Sequence, residues 1–324
     1  MKNTYPFIFF LFFCFNSFAR STDLTDQFLH YYSNEVQLSK KEIHKLNDLN
    51  FVLVPGILSE SFVAQDTRSY LNFALLTKDY FGAQKKLLTS LGFSAHLLST
   101  SSFSVSETKE NIRSVLKQSI LNGQKIFFIT HSLGGIALLE VLISNPSMQE
   151  AVGGILFLQS PFSGSPMADV FLDNPYYIET LIKPFLPFFN TSEETITYLS
   201  MQSRAKFIHT HSLQISQLSK NVPLVTVGTI ANGVPTIFRP SVDILSYGCI
   251  RSGFTKCVSG ILFEGPYDLS DGMVPFKSSL LMGADFIRLQ SIDHGEMVLN
   301  LPFEDYNKDQ TTISLLKLMI TKLE

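Results

Sequence analysis

The chain has 324 residues, of which 45% are hydrophobic and 16% charged, and carries a formal net charge of −3. That length suits one large α/β domain or two smaller ones, and the apolar content argues against extended disorder. The mild negative charge, with no basic stripe, argues against nucleic acid as a partner.

The first residues read MKNTYPFIFFLFFCFNSFARST. Lys2 precedes an apolar run from Tyr5 to Phe15, and Ser17 and Ala19 occupy small-residue positions suited to cleavage. This is the layout of a secretory signal peptide over residues 1–19, with a mature domain over 20–324 and a periplasmic or extracellular location. An uncleaved anchor is the alternative, although the run is short for a membrane span. Cys14 follows Phe12 and Phe13, where lipidation requires small residues. No later stretch is long and apolar enough to span a bilayer.

Short β-rich runs then alternate with helical patterns, which predicts a mostly parallel sheet covered by helices on both faces. NFVLVPG (Asn50–Gly56) reads as a buried strand closed by a Pro-Gly turn. FSAHLLS (Phe93–Ser99) is a second strand. SVSETKENIRSVLKQSIL opens on a Ser104/Glu107 capping-box pattern and continues as a helix. QKIFFIT (Gln124–Thr130) is a third strand, apolar throughout its centre as a strand buried on both faces would be. The helix GGIALLEVLISNP follows it. AVGGILFLQS (Ala151–Ser160), PLVTVGTI (Pro223–Ile230) and ADFIRLQS (Ala284–Ser291) complete the strands, and a last helix covers roughly 310–323.

One segment breaks the alternation. From about 171 to 220 no strand is readable, and the pattern is that of several helices inserted between two strands. Insertions of this size between sheet elements often serve as lids or binding loops. Cys249 and Cys257, the two cysteines left after signal removal, suggest one disulfide closing a short loop, with two free buried thiols as the alternative. Their spacing and the lack of histidine partners argue against zinc.

The chemistry concentrates in FFITHSLGGIALLE, a strand, a sharp turn and a helix with Ser132 at the tip. The usual pattern is G-x-S-x-G; here Thr130 replaces the first glycine, while Gly134 and Gly135 keep the helix side small. A serine hydroxyl is a poor nucleophile unless a histidine takes its proton and a carboxylate fixes that histidine's tautomer. A nucleophile on such an elbow takes its acid, and then its histidine, from later in the chain. His294, on the loop after the last strand, is the one histidine beyond Asp271. His209 and His211 lie within the insertion, His131 adjoins the serine and is expected to point away, and His30, His44 and His96 precede it. Asp271, in the turn DLSDGMVP, is the candidate acid, with Asp268 its local rival; Asp293 sits too close to His294 in sequence to orient it. Asp-Gly is also a common turn pair in its own right. Backbone N–H groups must stabilise the oxyanion: Leu133 after the serine, and Ile57, or else Leu58, in the loop after the first strand.

Four separated segments carry a family resemblance: LVPG, THSLGG, LQSPFSGSPMADV, and SDGMVP followed by DHGEMV. In this order they resemble the α/β-hydrolases, and among them the secreted bacterial true lipases. The resemblance spans residues 51 to about 298. It implies an α/β-hydrolase fold with a helical lid, and an exported serine carboxylester hydrolase cleaving lipids or other hydrophobic esters through Ser132, Asp271 and His294. A phospholipase or acyltransferase using the same triad is the nearest alternative, and a non-catalytic lipid- or partner-binding relative the more distant one. Pro55 and Phe162 stand where the family often has histidine. Some family members hold a structural calcium through a carboxylate two residues after the catalytic histidine. Glu296 occupies that position, but no second acidic ligand is identifiable, so calcium is not predicted, and no other cofactor is required. The insertion contains Tyr176, Tyr177, Phe185, Phe188 and Phe189, which as a cap would bind acyl chains and touch a lipid surface on opening.

Overall fold

The computed structural model describes residues 21–56, 79–100, 104–173, 192–231, 269–300 and 306–323. The leader, Ile57 and Leu58, the five insertion aromatics, Asp268 and the pair Cys249/Cys257 lie outside the described residues.

In chain order the described elements are α1 (Thr25–Ser33), α2 (Lys40–Leu46), β1 (Leu49–Val54), α3 (Gly82–Ser90), β2 (Ala95–Leu97), α4 (Val105–Asn122), β3 (Lys125–His131), α5 (Leu133–Ser144), β4 (Val152–Leu158), α6 (Pro166–Asp173), α7 (Glu193–Leu199), α8 (Met201–Thr210), α9 (Ser212–Asn221), β5 (Leu224–Ile230), β6 (Asp285–Gln290) and α10 (Lys308–Ile320). The strands form one parallel sheet in the order β2-β1-β3-β4-β5-β6. From β1 the chain steps outward to β2, then crosses back to β3. The strand order therefore reverses between β1 and β3, the place where open α/β sheets put their sites.

Burial explains why the central strands are legible in sequence. β4 and β5 are buried at every position and β3 at all but Lys125, so each reads as an unbroken apolar run. The edge strand β6 instead alternates along its second half. Side chains divide by parity. Phe51, Leu53, Phe127 and Ile129 join the core against α3 and α10, whereas Val52, Val54, Ile126 and Phe128 join the core against α4, α5 and α9. The central helix α5 is buried from Leu133 to Ile143. On α4, Val105, Thr108, Ile112, Leu116 and Ser119 recur at helical spacing on one buried face, with the Ser104 side chain capping the Glu107 N–H and Gly123 closing the helix at φ 63°.

Three helices, α1, α2 and α3, are additional to those read from the sequence. α2 begins with a complete capping box between Ser39 and Glu42. Glu42 also pairs with Lys317 of α10 at 3.0 Å, tying the amino-terminal helices to the last one.

Candidate active site

All the parallel strands deliver their carboxyl ends to one edge of the sheet. Gly56 follows β1, Ser132 follows β3, Gln159 follows β4, and His294 lies four residues beyond β6.

Ser132 sits between β3 and α5 with φ 52° and ψ −126°, a backbone that L residues rarely adopt. The turn is held by the Ser132 N–H donating to the Leu158 carbonyl at 3.0 Å and the Gly135 N–H donating to the Ser132 carbonyl at 3.1 Å. Glycine at the helix side is required by packing. A Cβ at Gly134 would meet the carbonyl oxygens of Val54 and Pro55 at 2.5 Å, and one at Gly135 would collide with Ser160 Oγ. The same Cβ would lie 2.9 Å from Thr130 Oγ1, so Gly135 leaves the room that Thr130 occupies. The Thr130 hydroxyl is satisfied by the Leu156 carbonyl at 3.4 Å.

His294 Nε2 lies 3.1 Å from Ser132 Oγ and its Nδ1 lies 2.8 Å from Asp271 Oδ2. All three side chains thus form one hydrogen-bonded line. Asp271 is 1% exposed. Its second oxygen accepts the N–H groups of Met273 at 2.9 Å and Val274 at 2.7 Å, so the carboxylate is clamped by its own turn, in which Gly272 takes φ 97°. The His294 N–H donates to the Asp271 carbonyl at 3.0 Å. Asp293 plays a different part. Its carboxylate accepts from the N–H groups of Gly295 and Glu296, while Glu296 accepts from the Asp293 N–H, which pins the histidine loop. Burial raises the Glu296 pKa, with the nearby Asp293 charge adding to the effect.

Leu133 opens α5, so its N–H has no intrahelical acceptor and lies beside the serine. Gly56 packs directly on the Ser132 turn, where a Cβ would be 2.9 Å from Ser132 Cβ. The Gly56 N–H donates to Tyr80 Oη at 2.9 Å.

His131 turns away from Ser132, into a buried network that the sequence does not announce. Its Nδ1 is 2.6 Å from Tyr80 Oη, and its Nε2 is 2.9 Å from the His294 carbonyl and 3.1 Å from Gln159 Oε1. The His131 and His294 rings stand 4.8 Å apart. Burial holds the His131 pKa well below the usual histidine range, and the charge of His294 pushes it the same way. Burial raises the Tyr80 pKa. Tyr80 has no local sequence signal, and Gln159 has only that of a polar residue closing an apolar strand.

The helix that leads into the insertion and the insertion's described helices pack on α5. Ala168 of α6 and Leu199 of α7 cluster with Leu133 and Ile136. Arg204 of α8, 1% exposed, pairs with Glu140 of α5, and Lys109 of α4 pairs with the same carboxylate. Burial alone would raise Glu140, but the two cations outweigh it and hold its pKa below the usual range. α9 places Ile215 and Leu218 in the core beside α5. His209 is exposed on α8, and His211 stacks on Phe207. Phe162 is fully buried, edge-on to Phe157. Among the described residues no group of three or more His, Cys, Asp or Glu side chains is arranged to hold a metal ion, and no helix is long and apolar enough to cross a membrane.

No protein-family model matches the sequence and no curated protein matches it. Solved structures do. A metagenomic carboxyl esterase superposes with a TM-score of 0.58 at 19% identity, covering 89% of this chain and 76% of its own. The mature form of a Bacillus licheniformis lipase gives 0.53 at 14% identity, covering 86% and 92%. Lipase 1 from Pelosinus fermentans gives 0.52 at 14%, covering 86% and 99%. The chain has the α/β-hydrolase fold.

Proposed function

We propose that this chain is an exported serine carboxylester hydrolase acting on lipids or other hydrophobic esters. The observation that carries the reading is the unbroken line from Asp271 through His294 to Ser132, with contacts of 2.8 and 3.1 Å, at a strained turn on the carboxyl edge of the sheet. Ser132 Oγ attacks the ester carbonyl while His294 Nε2 takes its proton. Asp271 holds the His294 Nδ1–H and stabilises the imidazolium. The Leu133 and Ile57 N–H groups bind the oxyanion. Collapse of the tetrahedral intermediate expels the alcohol, which receives the proton from His294 and leaves the acyl group on Ser132. Water, deprotonated by His294, then attacks the acyl-enzyme, releasing the acid and restoring the serine.

The substrate class is supported by structural neighbours described as a carboxyl esterase and lipases. The packing of Ala168 and Leu199 on Leu133, next to the serine, supports an apolar cap over the site. In this reading Tyr176, Tyr177, Phe185, Phe188 and Phe189 extend that cap to the acyl chain. Residues 1–19 direct export, and Cys249 and Cys257 pair after it. No cofactor takes part.

The test is a panel of p-nitrophenyl esters, triacylglycerols and phospholipids of different chain length, with Ser132→Ala as control. Turnover by the native chain, its loss in the variant, and preference for apolar acyl groups are the expected results. Undiminished turnover in Ser132→Ala removes the assignment. Transfer to an added alcohol in preference to water would recast the chain as an acyltransferase.

A further inference from the structure

Gln159 is fully buried at the end of β4, with φ 51° and its N–H donating to the Val227 carbonyl at 2.7 Å. Its carboxamide touches both loops that carry the acid and the histidine. Nε2 lies 3.2 Å from Asp271 Oδ2, the same oxygen that meets His294, and 2.8 Å from the Asp293 carbonyl. Thr229 Oγ1 is a further neighbour of Nε2. On the other side Oε1 faces His131 Nε2 at 3.1 Å.

These contacts fix which way the amide faces. With the amide flipped, its oxygen would face a carboxylate and a carbonyl, which only accept. Gln159 therefore turns its two N–H groups toward three acceptors, the Asp293 carbonyl, Thr229 Oγ1 and Asp271 Oδ2, the last at 3.2 Å through a shared donor, and its oxygen accepts from His131. His131 must carry its proton on Nε2, since both neighbours of that nitrogen, Gln159 Oε1 and the His294 carbonyl, are acceptors. Its Nδ1 then accepts from the Tyr80 hydroxyl, and Tyr80 Oη accepts from the Gly56 N–H. The chain of bonds runs from the turn after β1 to the Asp271 carboxylate, with each donor matched to an acceptor.

We propose that Gln159 is a positioning residue for the Asp271–His294 pair: its amide fixes the rotation of the carboxylate and ties it to the histidine loop and to His131. The inference rests on the hydrolase reading above, since it concerns how that triad is oriented. Asp271 Oδ1 is already clamped by its own turn, so Oδ2 is the oxygen whose direction decides where the imidazole points. Without the Gln159 donor, Oδ2 keeps His294 as its side-chain partner among the described residues, and the imidazole follows the looser carboxylate.

The test uses the full chain with Gln159→Met, which keeps length and volume but deletes both hydrogen-bonding ends. The expected result is a fall in kcat of about ten- to a hundredfold with KM changed less than about threefold, because geometry is lost while binding is not. The far-downfield His294 Nδ1 proton resonance should shift or broaden in the same variant, a change that core packing alone would not produce. Gln159→Asn keeps an amide but withdraws it by one methylene; it should fall between the two, and it serves as the test if Gln159→Met fails to fold. A folded variant with kcat within about twofold of native and an unmoved proton resonance overturns the proposal. If the native chain turns over no ester, the hydrolase reading fails, and the proton resonance still reports, without turnover, whether Gln159 orients the pair.

Discussion

Gly134, in the first turn of α5, lies so close to the end of β1 that a Cβ there would stand 2.5 Å from the Val54 carbonyl oxygen. The obstacle is backbone on both sides, so no rotamer change relieves it. Gly134→Ala is expected to cost about 3 kcal/mol or to prevent soluble expression. Gly123, which ends α4 at φ 63° and where an added Cβ would meet nothing within 4 Å, supplies the contrast. There Gly123→Ala incurs only the left-handed backbone penalty, about 1 kcal/mol. Urea titration of both variants checks the ordering.

The strain at Ser132 makes a second prediction. Ser132→Ala and Ser132→Gly both delete the hydroxyl and should both be inactive. At φ 52° and ψ −126° only the alanine variant retains the strain of a Cβ. The glycine variant is expected to be the more stable by about 1 kcal/mol. Thermal melts of the two variants under one condition decide it, and equal stabilities would mean that the turn holds no such strain.

Asp271→Asn should preserve the turn and lose the chemistry. An asparagine Oδ1 can still accept the Met273 and Val274 N–H groups, which turns its NH₂ toward His294 Nδ1. The imidazole must then accept at Nδ1 and carry its proton on Nε2, where it cannot take one from Ser132. Esterase kcat is expected to fall about a thousandfold or more, and the melting temperature to fall modestly because the new NH₂ also faces the Gln159 amide donor. Retained activity would move the acid to another carboxylate.

Acid should weaken the fold through His131. Burial depresses its folded pKa well below the ordinary histidine value of 6.5, so the unfolded chain binds more protons as pH falls. The stability contributed by neutral His131 is complete above about 6.5 and is lost as pH falls through the lowered folded value. Glu296, raised by burial, opposes this modestly because it protonates more readily in the folded state. Glu140, lowered by Arg204 and Lys109 against the effect of burial, loses its contribution only at more acid pH. Chemical unfolding should show the native chain less stable at about pH 5 than at about pH 7.5, and the loss should be smaller in His131→Gln.

The sequence disclosed most where burial left a one-dimensional trace. β3, β4 and β5 are covered on both faces and read as apolar runs within a residue or two of their limits. The edge strand β2 is shorter than the run FSAHLLS, three residues from Ala95 to Leu97, and only the first of them is buried. α2 carried a readable capping box, Ser39 to Glu42, but too few turns to show a periodic face. Ser132, Asp271 and His294 stood out because each has a local signature: an elbow, an Asp-Gly turn, and a loop after the last strand. Tyr80 has none, and Gln159 only that of a polar residue closing an apolar strand. Each matters through a partner far along the chain, His131 at 51 positions and Asp271 at 112, and no window of sequence contains both ends of such a contact.

Asp271 and His294 are joined twice, ring to carboxylate at 2.8 Å and amide to carbonyl at 3.0 Å. Their loops therefore drift together, and a displacement of this rim of the sheet is common to both. Ser132 stands on the junction of β3 and α5, and His131 beside it ties that junction to the histidine loop through the His294 carbonyl at 2.9 Å. The gap between His294 Nε2 and Ser132 Oγ is thus bracketed by a second link one residue away, so a shift of the rim is felt by His131 and Ser132 together.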